Sequence, residues 1–176
     1  MDIKKILHKE GIFNLEFADL KLILKKNMFD TICHEHLEYY SVTLIDNLLK
    51  SVGLRIFDHN YNDINGGSSS YYICHDTAKF KTKNKIKIIL NQECKMKIDS
   101  INTYKNFKKR IDKIKKKLLE ILLKLKKQKK TIHGYGASTK GNVLLQYFNI
   151  DHRYLDYISD RNPKKSNCYT PGTNIK

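Results

Sequence analysis

The chain has 176 residues and a formal net charge of +16, with 34 Lys plus Arg against 18 Asp plus Glu. A hydrophobic fraction of 40% supports a folded core and excludes a wholly disordered chain. No apolar run reaches the ~18 residues needed to cross a bilayer, and the lysine-containing start lacks the apolar stretch of a signal peptide. We therefore expect a cytoplasmic protein. The four cysteines form no CxxC pair, which indicates free thiols at Cys33, Cys74, Cys94 and Cys168.

The positive charge is concentrated in residues 79–130, which hold 20 Lys or Arg against 4 Asp or Glu, whereas the rest of the chain is neutral. A basic segment of this kind can bind nucleic acid or an acidic membrane surface. The segment lacks interleaved aromatic residues, and lysine outnumbers arginine 30 to 4 in the chain. We therefore favour a solvated lysine surface and expect neither a membrane nor nucleic acid as partner.

The first half of the sequence predicts a small sheet with helices. The predicted elements are a β-prone run at 11–17, a short helix from Leu20, a helix that begins at Ser41 or Thr43 and ends at Gly53, a strand at 54–58, a loop at 60–70 and a strand at 70–75. This order is typical of α/β sheets that end in an antiparallel hairpin.

The second half predicts a long helix and a βαβ unit. Its elements are a polar connector at 79–97, a helix from about 99 to 129, a strand at 131–136, a helix at 138–148, a strand at 154–159 and a turn-rich stretch from 163. The long helix carries an apolar stripe at Ile111, Ile114, Leu118, Ile121 or Leu122, and Leu125. A coiled-coil arm or a membrane-surface helix would have such a stripe, but docking across a neighbouring sheet is the favoured interpretation.

One segment with several ionisable side chains is Cys33-His34-Glu35-His36. In a turn, Cys33 and His36 would come together, whereas an extended backbone would put His34 and His36 on one face. A histidine beside a carboxylate suits proton abstraction near neutral pH. Two His and a Cys are also legitimate zinc ligands, with Cys74-His75 as candidates for a fourth. A loop of satisfied polar residues is the third interpretation, and the residues alone leave all three open.

A second segment, His133–Asn142, lies between a predicted strand and a predicted helix. Its glycines allow a tight turn, and the helix N-terminus with Ser138, Thr139 and Lys140 offers donors suited to phosphate. The segment matches neither G-x-G-x-x-G nor a Walker A loop. A strand-to-helix turn needs glycine for steric reasons as well, so a purely structural role is an equal alternative.

Five motifs occur in a fixed order, and together they are more specific than either segment. They are F-D-T-I-C-H-E-H-L-E-Y-Y-S at 29–41, N-G-G-S at 65–68, G-Y-G-A-S-T-K-G-N at 134–142, D-R-N-P at 160–163 and P-G-T at 171–173. This series resembles the C-terminal part of the S-adenosylmethionine-dependent sugar C-methyltransferases. Those enzymes methylate a ring carbon next to the ketone of a nucleotide-linked deoxysugar. The resemblance covers nearly the whole chain except its lysine-rich middle.

The resemblance implies an α/β fold in three segments. Residues 1–78 would hold late strands and helices of a class I methyltransferase Rossmann-like sheet, together with the segment Cys33-His34-Glu35-His36, which we call the H-E-H segment. Residues 79–130 would form the lysine-rich connector and the long amphipathic helix. Residues 131–176 would form part of a second Rossmann-like βαβ lobe.

The resemblance also implies site residues and a mechanism. His36 would be the general base, with Glu35 and Cys33 as its catalytic neighbours. The base would remove the proton next to the keto group, the enolate carbon would attack the sulfonium methyl of S-adenosylmethionine, and neighbouring donors would hold the oxyanion without a metal. Lys140 and Asn142 are diphosphate or structural candidates. The implied contacts to the nucleotide-diphosphate sugar are His34, Gly66, Gly67, Ser68, Gly134, Gly136, Lys140 and Asn142.

The sequence departs from the family pattern in several places. Cys33 stands where the family has Tyr, and Asn65 stands where it commonly has His. The glycine-rich loop and acidic residue that bind S-adenosylmethionine are absent, since Gly11 is the sole glycine before Gly53, and the family's N-terminal zinc-binding cysteines are missing. The chain therefore resembles a fragment truncated at both ends, to which a separate chain could supply the cofactor lobe. The alternatives are a lysine-rich module that binds nucleic acid or an acidic surface, and an inactive remnant.

Overall fold

The computed structural model describes residues 2–176, apart from the side chain of Asn65, and the chain divides into two compact units. The first comprises the chain up to Met28 together with Glu38–Lys105, and the second comprises Phe29–Leu37 and Asn106–Lys176. The H-E-H segment thus belongs to the same unit as the predicted βαβ lobe. The division of the chain into three segments stays a prediction. The side chain of Asn65, which stands where the family commonly has His, lies outside the described part of the structure.

The secondary structure is mixed α/β, as predicted. The helices and strands are α1 (Asp2–Ile6), β1 (Phe13–Phe17), α2 (Leu20–Lys26), α3 (Val42–Ser51), β2 (Leu54–Asn62), β3 (Ser68–His75), α4 (Asn84–Met96), α5 (Ile101–Lys127), β4 (His133–Tyr135), α6 (Thr139–Phe148) and β5 (Tyr157–Ser159). Short 3₁₀ turns lie at Phe29–Thr31, Ile64–Gly66 and Pro163–Lys165. None of the helices formed by residues 2–176 has the length and apolar character that crossing a membrane requires.

The sheet of the first unit has the order β1-β3-β2, with the central strand β3 antiparallel to both neighbours. The β2–β3 pair confirms the predicted hairpin. The loop predicted at 60–70 is wrong at both ends, because Asn60–Asn62 pair with Ser68–Ser70 across the hairpin. The polar composition misled the prediction: Ser69 donates to the carboxylate of Asp19 and Ser70 to that of Glu16, so these hydroxyls are satisfied within the first unit.

The core of the first unit contains residues from α3, α4 and the sheet. Its buried members are Val42, Ile45, Leu49, Leu54, Ile56, Tyr71, Ile73, Ile86 and Ile89. The polar connector predicted at 79–97 is wrong over its greater part, because Asn84–Met96 form α4. Ile86, Ile89 and Glu93 recur at helical spacing and are buried, while the exposed positions between them are Lys87, Ile88, Asn91 and Gln92.

Two buried carboxylates tie helices of the first unit to neighbouring elements. Asp19 caps α2 by accepting from the backbone N–H of Lys21 at 2.8 Å, and it also accepts from the Tyr71 hydroxyl at 2.9 Å. Glu93 on α4 accepts from the backbone N–H groups of Val42 and Thr43, both at 2.8 Å. These are the first N–H groups of α3, which have no intrahelical partners, so Glu93 satisfies them from another helix.

Glu93→Gln is expected to lower the free energy of unfolding by about 2–3 kcal/mol, because the neutral amide gives up charge-assisted bonds to buried donors. Urea denaturation followed by circular dichroism measures this loss. The control is Glu120→Gln at an exposed position of α5, which should change stability by less than about 0.5 kcal/mol. Equal losses in the two variants would contradict the capping role.

Asp58 on β2 forms ion pairs with two lysines that precede and begin α4. Lys83 Nζ lies 2.6 Å and Lys85 Nζ 2.5 Å from its carboxylate oxygens. Burial raises the pKa of Asp58, but hydrogen bonds from Lys83, Lys85 and the backbone N–H of His59 outweigh it and lower the pKa to about 2. The ionised carboxylate therefore favours the folded state at neutral pH.

Because this folded-state pKa is depressed, the contribution of Asp58 is fully present above about pH 4 and is lost as the pH falls through about 2. We expect Asp58→Asn to cost on the order of 1 kcal/mol at pH 7, since water reaches both lysines and screens the pairs. The difference from the unsubstituted chain should shrink as denaturation is repeated toward pH 2. Asp63→Asn, at an exposed position, serves as control, and a difference that persists unchanged at pH 2 would refute the assignment.

The second unit contains the βαβ unit that the sequence predicts. Strands β4 and β5 are parallel and are connected by α6. The long helix α5 is also confirmed, although its packed stripe includes Phe107 and Ile111, whereas Ile114 and Ile121 are exposed. Two α5 lysines contact the βαβ unit: Lys115 Nζ donates to the Tyr147 carbonyl at 2.9 Å, and Lys126 pairs with Asp156.

Candidate functional site

The H-E-H segment forms a turn. After the 3₁₀ turn at Phe29–Thr31, the backbone N–H of His36 donates to the Cys33 carbonyl at 3.1 Å. His34, Glu35 and His36 are exposed and Cys33 is half-buried. The segment therefore adopts the turn alternative, in which Cys33 and His36 approach each other through the backbone.

The ring of His36 is oriented by a backbone carbonyl. Its Nδ1 lies 2.7 Å from the carbonyl oxygen of Thr31, a residue with a buried side chain. A carbonyl oxygen only accepts, so Nδ1 carries the hydrogen of this bond. In the neutral ring the lone pair is then on Nε2, the protonation state that a general base requires. Thr31 was not among the predicted site residues, although it lies in the same motif, five positions before His36.

An aromatic pair holds this segment against α6. The ring of Phe29 stacks on that of Phe148 with 4.9 Å between centroids, and it also contacts Tyr147 at 5.6 Å. Phe148 is fully buried. The H-E-H segment is therefore positioned by the βαβ lobe, within the second unit.

The glycine-rich turn between β4 and α6 has two steric requirements. A Cβ on Gly134 would lie 2.7 Å from Cγ1 of Ile158 on the paired strand, which is closer than carbon atoms tolerate. Gly136 has φ +90°, which favours glycine. Ser138 then caps α6, because its hydroxyl oxygen accepts from the N–H of Gly141 at 3.1 Å. Gly134 and Gly136 therefore each have a structural role in the turn from β4 to α6.

A carboxylate of the protein accepts a hydrogen bond from the backbone of this turn. Asp160, which follows β5, accepts from the backbone N–H of Ala137 at 2.8 Å and from Lys165 Nζ at 3.0 Å. Its other oxygen accepts from the backbone N–H of Asn162 at 2.9 Å. The bonds from Asn162, Ala137 and Lys165 lower the pKa of Asp160 to about 2. Asp160 was not predicted as a site residue, although the D-R-N-P motif contains it.

A cavity of about 850 Å³ opens in the second unit beside this carboxylate. Asn142 on α6 lines it, and the Asn142 Oδ1 atom is buried without a hydrogen-bond partner among the described residues. Lys140, two residues before Asn142, is half-buried on the first turn of α6.

The predicted N-G-G-S contacts lie in the turn between β2 and β3 of the first unit. The hydroxyl of Ser68 is buried and donates to the Ile64 carbonyl at 3.1 Å. Lys26 Nζ donates to the Gly66 carbonyl at 2.9 Å, and Gly67 follows with φ +137°. These bonds stabilise the hairpin turn, and a substrate contact of Gly66, Gly67 or Ser68 stays a prediction.

The described residues provide no set of ligands for a metal ion at the H-E-H segment. Within residues 2–176, no group of three or more His, Cys, Asp or Glu side chains is placed to hold a metal ion. Cys74 is fully buried in β3, and Nε2 of His75 lies 3.0 Å from the Leu7 carbonyl. The proton-transfer interpretation and the interpretation as a loop of satisfied polar residues both stay predictions.

Comparisons with known proteins agree with the motif series. A family model described as the C-methyltransferase C-terminal domain matches residues 63–176. The chain is 31% identical over 173 residues to the C-methyltransferase NovU of Streptomyces niveus, an alignment that covers 98% of this chain and 41% of NovU. The chain thus spans about two fifths of the length of this curated relative.

Gly134→Ala is expected to destabilise the second unit by about 1–3 kcal/mol, because the added methyl overpacks the contact between β4 and β5. Thermal or chemical denaturation measures the loss. A double-mutant cycle with Ile158→Ala, which removes the clashing Cγ1, supplies the control. The cost of Gly134→Ala should be smaller in the Ile158→Ala background, and an equal cost in both backgrounds would contradict the steric explanation.

Proposed function

The chain belongs to the C-methyltransferase C-terminal domain family, and we propose that it supplies the general base for methylation of a carbon. The base is His36, and the substrate is a nucleotide-linked deoxysugar with a ketone next to the reacting carbon. The observation that carries the proposal is the hydrogen bond from His36 Nδ1 to the Thr31 carbonyl, which leaves the lone pair of the neutral ring on Nε2.

The proposed step is a proton transfer. Nε2 of His36 takes the proton from the carbon beside the ketone, and the electrons of the broken C–H bond move into the carbonyl to give an enolate. The Thr31 carbonyl accepts from Nδ1–H before and after this transfer, so the ring keeps its orientation as it becomes an imidazolium. The exposure of His36 supports access by a large substrate.

The neighbours of His36 receive supporting roles in this proposal. Glu35 is the exposed carboxylate next to His36 in the chain, and we assign to it the stabilisation of the imidazolium. The ring N–H of His34, which is exposed, is a donor that can approach the sugar. Cys33 offers a thiol, a weak donor, so any hydrogen bond that it makes to the developing oxyanion is weaker than that of a phenol.

The methyl donor implied by the family, S-adenosylmethionine, does not fit the residues of this chain. Within residues 2–176, the first sheet has three antiparallel strands with no glycine-rich strand-to-helix turn. The glycine-rich turn before α6 already bonds its Ala137 N–H to the Asp160 carboxylate. We therefore propose that the donor is bound outside these 176 residues, by another part of the enzyme or by a separate chain.

Because proton abstraction precedes methyl transfer, it can be measured without the donor. In D₂O, the 176-residue chain should exchange the proton beside the ketone of a thymidine-diphosphate-linked ketodeoxysugar for deuterium, as followed by NMR. His36→Asn should lower this exchange rate by roughly 10²- to 10⁴-fold, because the base is removed.

His152→Asn is the matched control, since His152 is another exposed histidine of the second unit. Its exchange rate should stay near that of the unsubstituted chain. If the unsubstituted chain exchanges the proton no faster than buffer alone, His36 is not the base. The same conclusion follows if the exchange rate is unchanged in His36→Asn.

A further inference from the structure

We infer that His59 is a pH-sensitive switch in the fold of the first unit, which is stable while the buried imidazole is neutral and unfolds when mild acid protonates it. The inference is independent of the proposed function, because His59 lies on β2 of the first unit and His36 lies in the second unit. It assigns a role to a buried ionisable side chain that lies outside the five motifs of the sequence.

An irregularity in β2 turns His59 toward the core. The pairing register of β2 and β3 shifts at Phe57, so that Ile56 pairs with Ile73 and His59 pairs with Tyr71. Tyr71 and Ile73 are two positions apart on β3, and both belong to the buried core of the first unit. An extra residue in a strand moves the residues after it to the other face of the sheet. His59 is therefore on the core side, where 6% of its surface is exposed.

Both ring nitrogens of His59 are buried, and neither has a hydrogen-bond partner among the described residues. The ring contacts aromatic side chains instead: the ring centroid of Tyr61 lies 4.6 Å away in an edge arrangement, and that of Tyr71 lies 5.8 Å away. An imidazolium has two N–H donors and a full positive charge. Burying that charge without an acceptor costs far more than burying the neutral ring, so these surroundings suit the neutral ring alone.

Two lysines on neighbouring helices add positive charge near the ring. Lys85 on α4 donates from Nζ to the backbone carbonyl of His59. Lys21 on α2 is buried, with its Nζ 5.0 Å from the centroid of the Tyr61 ring, and it donates to the Tyr61 hydroxyl and to Gln92. A positive charge on the imidazole would be repelled by both ammonium groups across a poorly solvated core.

The carboxylates on the surrounding elements are Asp58 on β2, Asp19 before α2 and Glu93 on α4, and each is already bonded to other groups. Their donors are Lys83 and Lys85 for Asp58, the Lys21 N–H, Ser69 and Tyr71 for Asp19, and the Val42 and Thr43 N–H groups for Glu93. Burial raises the pKa of Tyr61 to about 12 and that of Tyr71 above its usual range, so both phenols stay neutral.

The direction of the pH dependence follows from these contacts. Burial, followed by the charges of Lys85 and Lys21, lowers the pKa of His59 below the ordinary value of 6.5, against weaker opposing effects of Asp58 and Asp19. The unfolded chain therefore binds the proton more tightly than the folded chain. Stability is unaffected above about pH 6.5 and falls below it, by up to about tenfold in the folding equilibrium constant per pH unit. The contribution of Asp58, by contrast, is lost below about pH 4.

The test measures the folding equilibrium of the first unit within the 176-residue chain, by urea titration at about pH 7, 6 and 5. The methyl resonances of Ile56 and Ile73 report this unit, because both side chains are buried in its core. We expect the folding equilibrium constant of the unsubstituted chain to fall by roughly three- to tenfold between pH 6 and 5.

Two variants remove the titrating group. His59→Leu keeps a similar side-chain volume without polar atoms, and His59→Gln keeps a polar but neutral side chain. Both should lose most of the decrease between pH 6 and 5, whatever their stability at pH 7. His8→Gln, at an exposed position of the first unit, is the matched control and should keep the full decrease. A decrease of equal size in the unsubstituted chain and in both His59 variants would overturn the inference.

A second measurement decides the question even if neither His59 variant folds. The histidine rings of the unsubstituted chain are labelled with ¹³C, and the His59 signal is identified by its nuclear Overhauser contacts with the rings of Tyr61 and Tyr71. In the folded population this signal should keep the chemical shift of a neutral ring down to about pH 5. A His59 signal that titrates with a midpoint near pH 6.5 in the folded chain would overturn the inference.

Discussion

The stacking of Phe29 on Phe148 is the contact that holds the H-E-H segment against α6. The H-E-H segment has few other apolar contacts available, because Ile32 and Leu37 point largely into solvent. A short, polar and exposed segment gains little from hydrophobic burial of its own. Its position is therefore determined by one aromatic ring that packs on a fully buried partner in α6. The bond between the His36 ring and the Thr31 carbonyl then determines how the histidine is presented.

Acidic residues are outnumbered in this chain, and several of them accept hydrogen bonds from backbone N–H groups. Glu93 caps α3 from another helix, Asp19 caps α2, and Asp160 bonds the turn before α6. Each places a negative charge where a helix start or a tight turn exposes its donors. In the third case the Ala137 N–H of the glycine-rich turn is bonded to a carboxylate that follows the paired strand β5.

The lysine-rich region is the outer surface of two amphipathic helices. Helices α4 and α5 bury Ile86, Ile89, Phe107 and Ile111, while the intervening lysines are exposed. A few lysines have defined partners, such as Lys126 on Asp156 and Lys83 on Asp58. The helical period of α4 was obscured because the buried Ile86 and Ile89 lie beside the exposed Ile88 in one short apolar patch flanked by polar residues. The same period was recognisable in α5 because it continues over seven turns.

The sequence by itself determined the elements with strong local signals and the family. Helix α3 begins at its Ser41 cap, the strand, glycine turn and helix around Gly136 form the expected βαβ unit, and the ordered motifs led to the C-methyltransferases. Only the tertiary structure decided that the H-E-H segment packs on α6, that Asp160 reaches Ala137 from 23 residues away, and that Asn142 has an oxygen without a partner. Caps and periodicities act within a few residues, so a sequence displays them directly. Bonds between distant segments depend on how those segments pack, and no local pattern in a single sequence encodes that.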